Sequence, residues 1–93
     1  MVVGRATWEL HLPGCQSLKD KRRVLRSLTD RLRHRFNVSV AETGLQDRWQ
    51  RAEVSCCVIS TEQRHAASVL SSVDAVVEGV PDARIIDSTT CYL

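Results

Sequence analysis

SLKDKRRVLRSLTDRLRHRFNVSVAE, residues 17–42, is the stretch that decides the fold. At about 100° per residue, Leu18, Leu25, Leu28, Leu32 and Phe36 fall on one side of a helix, with Val24 at its margin. Ser17 supplies a hydroxyl that accepts a backbone N–H of the first turn. Asp20, three residues on, complements the positive end of the helix dipole and resembles a capping box with Asp in place of Glu. Asn37 is the expected helix end, because Asn tolerates the left-handed conformation. Val38 and Val40 then open a strand that closes near Thr43 and Gly44.

Upstream, residues 2–12 alternate. Ala6, Trp8, Leu10 and Leu12 lie on one face, and Arg5, Thr7, Glu9 and His11 on the other, as in a half-buried strand that Pro13 and Gly14 end. Downstream, residues 44–50 form a polar connection holding Trp49. Ala52, Val54, Cys56 and Val58 mark the core side of a third strand; Glu53, Ser55, Cys57 and Ile59 mark its other side. Ser60 with Gln63 is a second capping-box signal, and Ala66, Val69, Leu70, Val73 and Val77 follow at helical spacing. Gly79, as a left-handed cap, and Pro81 end that helix. Residues 83–92 form a fourth strand, on which Ile85 and Ile86 compete for the core. The order is βαββαβ over a single domain, residues 1–93. It predicts a ferredoxin-like α+β sandwich: a four-stranded antiparallel sheet with two helices on one face. The other face must meet solvent, a ligand or another subunit.

The 93 residues carry a net charge of +2 that hides a segregation. Positions 19–35 hold eight of the 13 Lys+Arg and two acids, a net +6; the remainder has five arginines against nine acids, a net −4. Such a division points to one binding surface for an anionic partner. Lys19, Arg22, Arg26 and Arg33 fall within about 60° of one another, away from the leucine stripe, over roughly 21 Å of helix. Arg23 borders this row and Asp30 interrupts it. Arginine offers a planar fork of donors matched to phosphate oxygens, so the row suits a nucleic-acid backbone. The alternative is a solvated face with local ion pairs. Trp49 either stacks on a base as part of that site or folds back over the edge of the core.

The outward positions of the two central strands are Arg5, Thr7, Glu9, Ser55, Cys57 and Ile59. None is aromatic, which argues against stacking of single-stranded RNA on the sheet. Val3, Cys57 and Ile59 are instead candidates for a homodimer face, reached by sheet-to-sheet or edge-to-edge contact. No glycine-rich phosphate loop, nucleophile elbow or paired-carboxylate motif is present, so no enzyme activity is expected. Cys15, Cys56, Cys57 and Cys91 include no C-x-x-C, and His11, Cys15, His34 and His65 lack ligand spacing; reduced thiols, no metal and no cofactor are expected. No apolar run approaches the roughly 20 residues that span a bilayer, and the opening residues do not read as a signal peptide. Cytoplasm is the expected compartment, with no membrane partner.

The segments 17–24, 30–33, 36–42 and 47–50 resemble the YlxP-like family of bacterial proteins, a domain-of-unknown-function group. The likeness extends over the full chain and is most specific at 13–52. It implies a ferredoxin-like fold. Members are often encoded beside translation-initiation and ribosome-maturation factors, which implies, by association, work near ribosomal RNA. The matching positions to test are Lys19, Lys21, Arg22, Arg23, Asp47 and Trp49. The four cysteines and the end 88–91 depart from the family pattern. The expectation is an accessory factor of translation or ribosome maturation that contacts structured RNA through its first helix. The alternative is a dimeric protein-interaction or small-ligand regulatory module that works through the sheet face or a subunit seam.

Overall fold

The computed structural model describes residues 1–93. Its elements are β1 (Val2–His11), α1 (Leu18–Arg35), β2 (Ser39–Gly44), β3 (Arg51–Ser60), α2 (Gln63–Glu78) and β4 (Arg84–Tyr92). The strands form one antiparallel sheet in the order β2-β3-β1-β4, with both helices on one face. This is the ferredoxin-like arrangement that the hydrophobic spacing predicts.

The core follows the two periodicities. Ala6, Trp8 and Leu10 from one side of β1, with Leu12 just beyond it, meet Ala52, Val54, Cys56 and Val58 of β3 and Val40 of β2. Leu25, Leu28 and Leu32 of α1, with Ala66, Leu70, Val73 and Val77 of α2, close the layer above them. Each large apolar side chain buried this way contributes roughly 1.5–3 kcal/mol. α2 packs tightly on the sheet at Gly4: a Cβ there would lie 3.0 Å from Leu70 Cδ1 and 3.2 Å from Val58 Cγ1.

The first helix is capped as the sequence predicts, with one displacement. Ser17 Oγ accepts the Asp20 N–H at 3.0 Å, but Asp20 Oδ2 in turn accepts the N–H of Gln16, not that of Ser17, also at 3.0 Å. The helix ends at Arg35 with Phe36 extended, so the expected end at Asn37 comes two residues early. The second helix departs further. It begins at Gln63 behind Glu62, which makes no side-chain cap, and Ser60 Oγ instead accepts the Glu62 N–H at 3.1 Å. Gly79 ends it in right-handed geometry at φ −78°, not as a left-handed cap. The rivalry of Ile85 and Ile86 resolves through a bulge. Leu10 pairs with Ile85 and Glu9 with Asp87, leaving Ile86 unpaired and half exposed.

The helices do not cover the sheet evenly. α1 lies over β2, and α2 over β1 and β3. The middle of the inward side of β4 is therefore open, and Ser88 and Thr90, which stand there, are exposed, while Ile85 and Tyr92 pack against the core. No helix is long and apolar enough to cross a membrane.

Candidate nucleic-acid interface

The N-terminal half of α1 presents Lys19, Arg22, Arg23 and Arg26, all exposed, around a shallow groove completed by Ser27 and Asp30. The groove has a volume of about 520 Å³. The chain's three ion pairs are Lys21–Glu42, Arg33–Asp30 and Arg51–Glu9, so none of these four cations has an acidic partner. Of the two acids on this helix, Asp20 accepts the Gln16 N–H and Asp30, at the end of the groove, lies nearer to Arg33 as its ion-pair partner. The structure thus brings together four of the predicted contact residues and leaves their charge unanswered.

Two other candidates do not belong to that row. Arg33 turns toward the sheet: its Nη2 donates to the Val40 carbonyl at 2.8 Å, and its Nη1 lies 3.6 Å from Asp30. Without Arg33 the free row runs from Lys19 to Arg26, roughly 10 Å of axis at 1.5 Å per residue, about half of the length expected. Lys21 is a plain correction. It is 1% exposed and reaches no solvent-borne phosphate. Its Nζ donates to the carbonyls of Leu45 at 2.9 Å and of Gln46 and Arg51 at 3.3 Å. These three bonds use all three ammonium protons. Glu42 Oε2 lies 2.9 Å away and serves as the counter-charge, but it is buried and takes no aligned hydrogen bond. The signal was present in the sequence, because by angle Lys21 falls between Leu28 and Leu32, inside the apolar stripe.

Lys21 therefore fixes the β2–β3 connection against α1. Leu45 there takes a left-handed φ of 58°, and the loop is held further by Gln50 Nε2, which donates to the Cys15 carbonyl at 3.1 Å. Trp49 rides on this pinned loop and is 54% exposed, so it does not fold back over the core. Asp47 and Arg48 beside it are exposed too.

The outer face of the sheet is mostly polar. Thr7 and Ser55 hydroxyls meet at 2.9 Å, Ser55 and Thr43 at 2.8 Å, and Thr43 donates to Glu53 at 2.7 Å. Arg51 donates to Glu9 at 2.6 Å. The predicted dimer-face residues gather at one end: Val3 pairs with Ile59, and Cys57 with Arg5. Ile59 is 69% exposed, while Val3 and Cys57 are half-buried. The four thiols are free.

A cleft not foreseen from the sequence lies between α2 and β4. Ala6, Trp8 and Leu70 form its floor, and Ser71, Asp74, Ser88, Thr90 and Tyr92 stand around it, enclosing about 400 Å³. Trp8 is buried there, yet its Nε1 donates to Asp74 Oδ1 at 2.7 Å. An alternating strand gives no sign that its tryptophan will be met by an acid 66 residues away.

Comparison with known proteins agrees with this architecture. The chain is 33% identical over 81 residues to the uncharacterized protein YlxP of Bacillus subtilis (strain 168), an alignment that covers 87% of this chain and 88% of that protein. A de novo designed protein with a ferredoxin fold, solved by solution NMR, superposes at a TM-score of 0.57 with 12% identity, covering 100% of this chain and 84% of that one. The model of the family described as protein of unknown function (DUF503) matches residues 3–90. By both the family model and the extent of the YlxP likeness, the chain belongs to the DUF503 family.

Proposed function

We propose that this protein is an accessory factor of translation or ribosome maturation that contacts structured RNA through the N-terminal half of α1. The observation that carries the reading is the set of four unpaired cations, Lys19, Arg22, Arg23 and Arg26, around one groove. Three of them are guanidinium forks suited to phosphate oxygens. The groove contains no aromatic and no apolar side chain to stack a base. Recognition there is of the backbone, and of its shape, rather than of sequence. Trp49, on its pinned loop, is the one aromatic ring more than half exposed, and on this reading it stacks on an unpaired base. The translational setting comes from the family resemblance alone.

The test is fluorescence anisotropy of a labelled ribosomal-RNA hairpin across a salt series. Four phosphate contacts give a slope of log affinity on log salt of about −3 to −4. Charge reversal at Lys19→Glu, Arg22→Glu and Arg26→Glu is expected to reduce affinity at least about 100-fold at low salt and flatten the slope, with an unfolding midpoint no lower than that of the wild type. Unchanged affinity in that folded variant refutes the proposal.

A further inference from the structure

The sheet has two edge strands, β2 and β4. They are treated very differently. The β2 edge is six residues long and broken by an irregularity between Glu42 and Gly44. α1 lies over it, and Arg33 occupies the Val40 carbonyl. Short length, a bulge and a capping cation are the devices that stop an edge from pairing.

The β4 edge is barely guarded along its second half, where one carboxylate, that of Asp87, caps one N–H, that of Ser88. Val3 and Leu93 exchange both backbone bonds, at 3.0 and 2.8 Å, which makes them a hydrogen-bonded pair. By the antiparallel alternation, Arg5–Cys91 and Thr7–Thr89 are such pairs too. The backbone groups of Ser88, Thr90 and Tyr92 therefore point away from β1. The Ser88 N–H turns onto the carboxylate of its neighbour Asp87 at 2.9 Å. Those of Thr90 and Tyr92 meet no loop or side-chain acceptor. The segment 88–92, Ser-Thr-Thr-Cys-Tyr, has no charge and no proline. On its inward side lies the open cleft against α2.

We infer that β4 is the seam of a homodimer, in which a second copy adds its own β4 antiparallel about a two-fold axis near Thr90. Thr90 then pairs with the partner's Thr90, and Tyr92 with the partner's Ser88, whose N–H exchanges the local Asp87 carboxylate for the Tyr92 carbonyl across the seam. The two sheets become one of eight strands, and the less guarded edge disappears from both copies at once. The two clefts, both on the helical face, meet across the axis. Charge selects this edge for a second copy. Pairing through β2 would set two copies of α1, each +6 over residues 19–35, side by side. Pairing through β4 separates the two β2 strands by seven strand spacings, roughly 34 Å. At the physiological Debye length of about 8 Å, their repulsion is then largely screened. The seam itself brings together uncharged residues.

Thr90→Pro is the discriminating variant. Its lost N–H points away from β1, so the β1–β4 ladder is kept while the free edge is blocked. Sedimentation velocity of the full chain from 1 to about 200 µM should show twice the monomer mass for the wild type. The Thr90→Pro protein should raise the dissociation constant at least about 30-fold, with unchanged circular dichroism. Thr90→Lys keeps the backbone donor and places two ammonium groups at the axis, so it should weaken the dimer in a salt-reversible way; it decides the matter if the proline variant does not fold. Amide exchange at Thr90 and Tyr92 should slow as protein concentration rises. A monomeric wild type throughout that range overturns the inference. So does a folded Thr90→Pro or Thr90→Lys protein that dimerises as the wild type does, or a dimer abolished only by Ile59→Lys on the outer face.

Discussion

Replacing Lys21 by Met keeps the length of the side chain and removes the ammonium. Three backbone carbonyls, of Leu45, Gln46 and Arg51, then lose their donor, and the Glu42 carboxylate loses its counter-charge with one oxygen buried. Leaving a buried pair half-broken costs about 3–5 kcal/mol. In a domain with roughly 5–15 kcal/mol of stability this is a large fraction. At about 4–8 °C per kcal/mol for a domain this size, the melting point should fall on the order of 12 °C or more. Glu42→Gln should cost far less, about 1 kcal/mol. Its side chain is 24% exposed, and the three aligned donors of Lys21 go to carbonyls that remain. The double variant should be no less stable than Lys21→Met alone, since it also removes the stranded carboxylate. Urea unfolding of the four proteins measures all of this. Equal losses from Lys21→Met and Glu42→Gln would refute the assignment of the ammonium protons to the carbonyls. A loss below about 1 kcal/mol for Lys21→Met would refute the keystone role itself.

Burial, and then the neighbouring Cys57, push the Cys56 thiol up to about 11, while Cys15 is raised by burial and by Asp20 and Asp82, against Lys21. A thiol raised in the folded state contributes stability that is complete below the unfolded value, near 9.0, and is lost as pH climbs toward 11. The urea midpoint should therefore fall across that window, less steeply in Cys56→Val; a fall of the same steepness would remove Cys56 as the cause. Mass spectrometry after brief alkylation of the native protein at pH 8 should find Cys57 and Cys91 modified before Cys15 and Cys56. Asp74→Ala strands the buried Trp8 indole N–H and should cost about 1–3 kcal/mol with a shift in Trp8 emission, read in a Trp49→Phe background. Asp74→Asn keeps an acceptor and should lose less; equal losses would mean that the bond adds nothing.

The elements were legible where side-chain period and end chemistry agree, as in β1 and in α1 behind Ser17. They were less so where the backbone chooses among near-equal options. Ser60 and Gln63 have capping-box spacing, but Glu62 precedes the helix and takes the cap position, so the hydroxyl closes a local turn instead. Gly79 can adopt a left-handed conformation and does not, because its N–H already reaches the carbonyls of Ala75, Val76 and Val77 in right-handed geometry. Ile85 and Ile86 cannot be ranked from period alone, since a bulge resets the alternation between Glu9 and Leu10 of the facing strand. For the candidate site, the angular count located the basic row. It could not foresee that Arg33 would find the Val40 carbonyl on the edge of β2, because that depends on where α1 lies across the sheet. The cleft beside β4 was invisible for the same reason: it exists because α2 sits mainly over β1 and β3 and covers β4 only in part.

The eight cations of α1 are not equivalent, and the way they divide bears on function. Lys21 is neutralised by Glu42, and Arg33 is close to Asp30 and bonded to a carbonyl. Arg35 stacks over Phe36 at 5.4 Å and, with Arg33, sits in the last turn, where the helix dipole favours positive charge. Lys19, Arg22, Arg23 and Arg26 have no such compensation. They form four like-charge neighbours at spacings of three and four: Lys19–Arg22, Lys19–Arg23, Arg22–Arg26 and Arg23–Arg26. Each such pair destabilises a helix by roughly 0.2–0.5 kcal/mol. Together they cost on the order of 1–2 kcal/mol, and Lys19 adds to this by lying in the first turn, at the positive end of the dipole. Of the remaining cations only Arg31 also lacks a partner, and it stands apart from the row, beside Arg35, so most of the uncompensated charge is concentrated on one groove. A polyanion seated there offsets both the mutual repulsion and the dipole penalty. Solvation of an exposed face explains how four such cations are tolerated, but it does not explain why they are gathered.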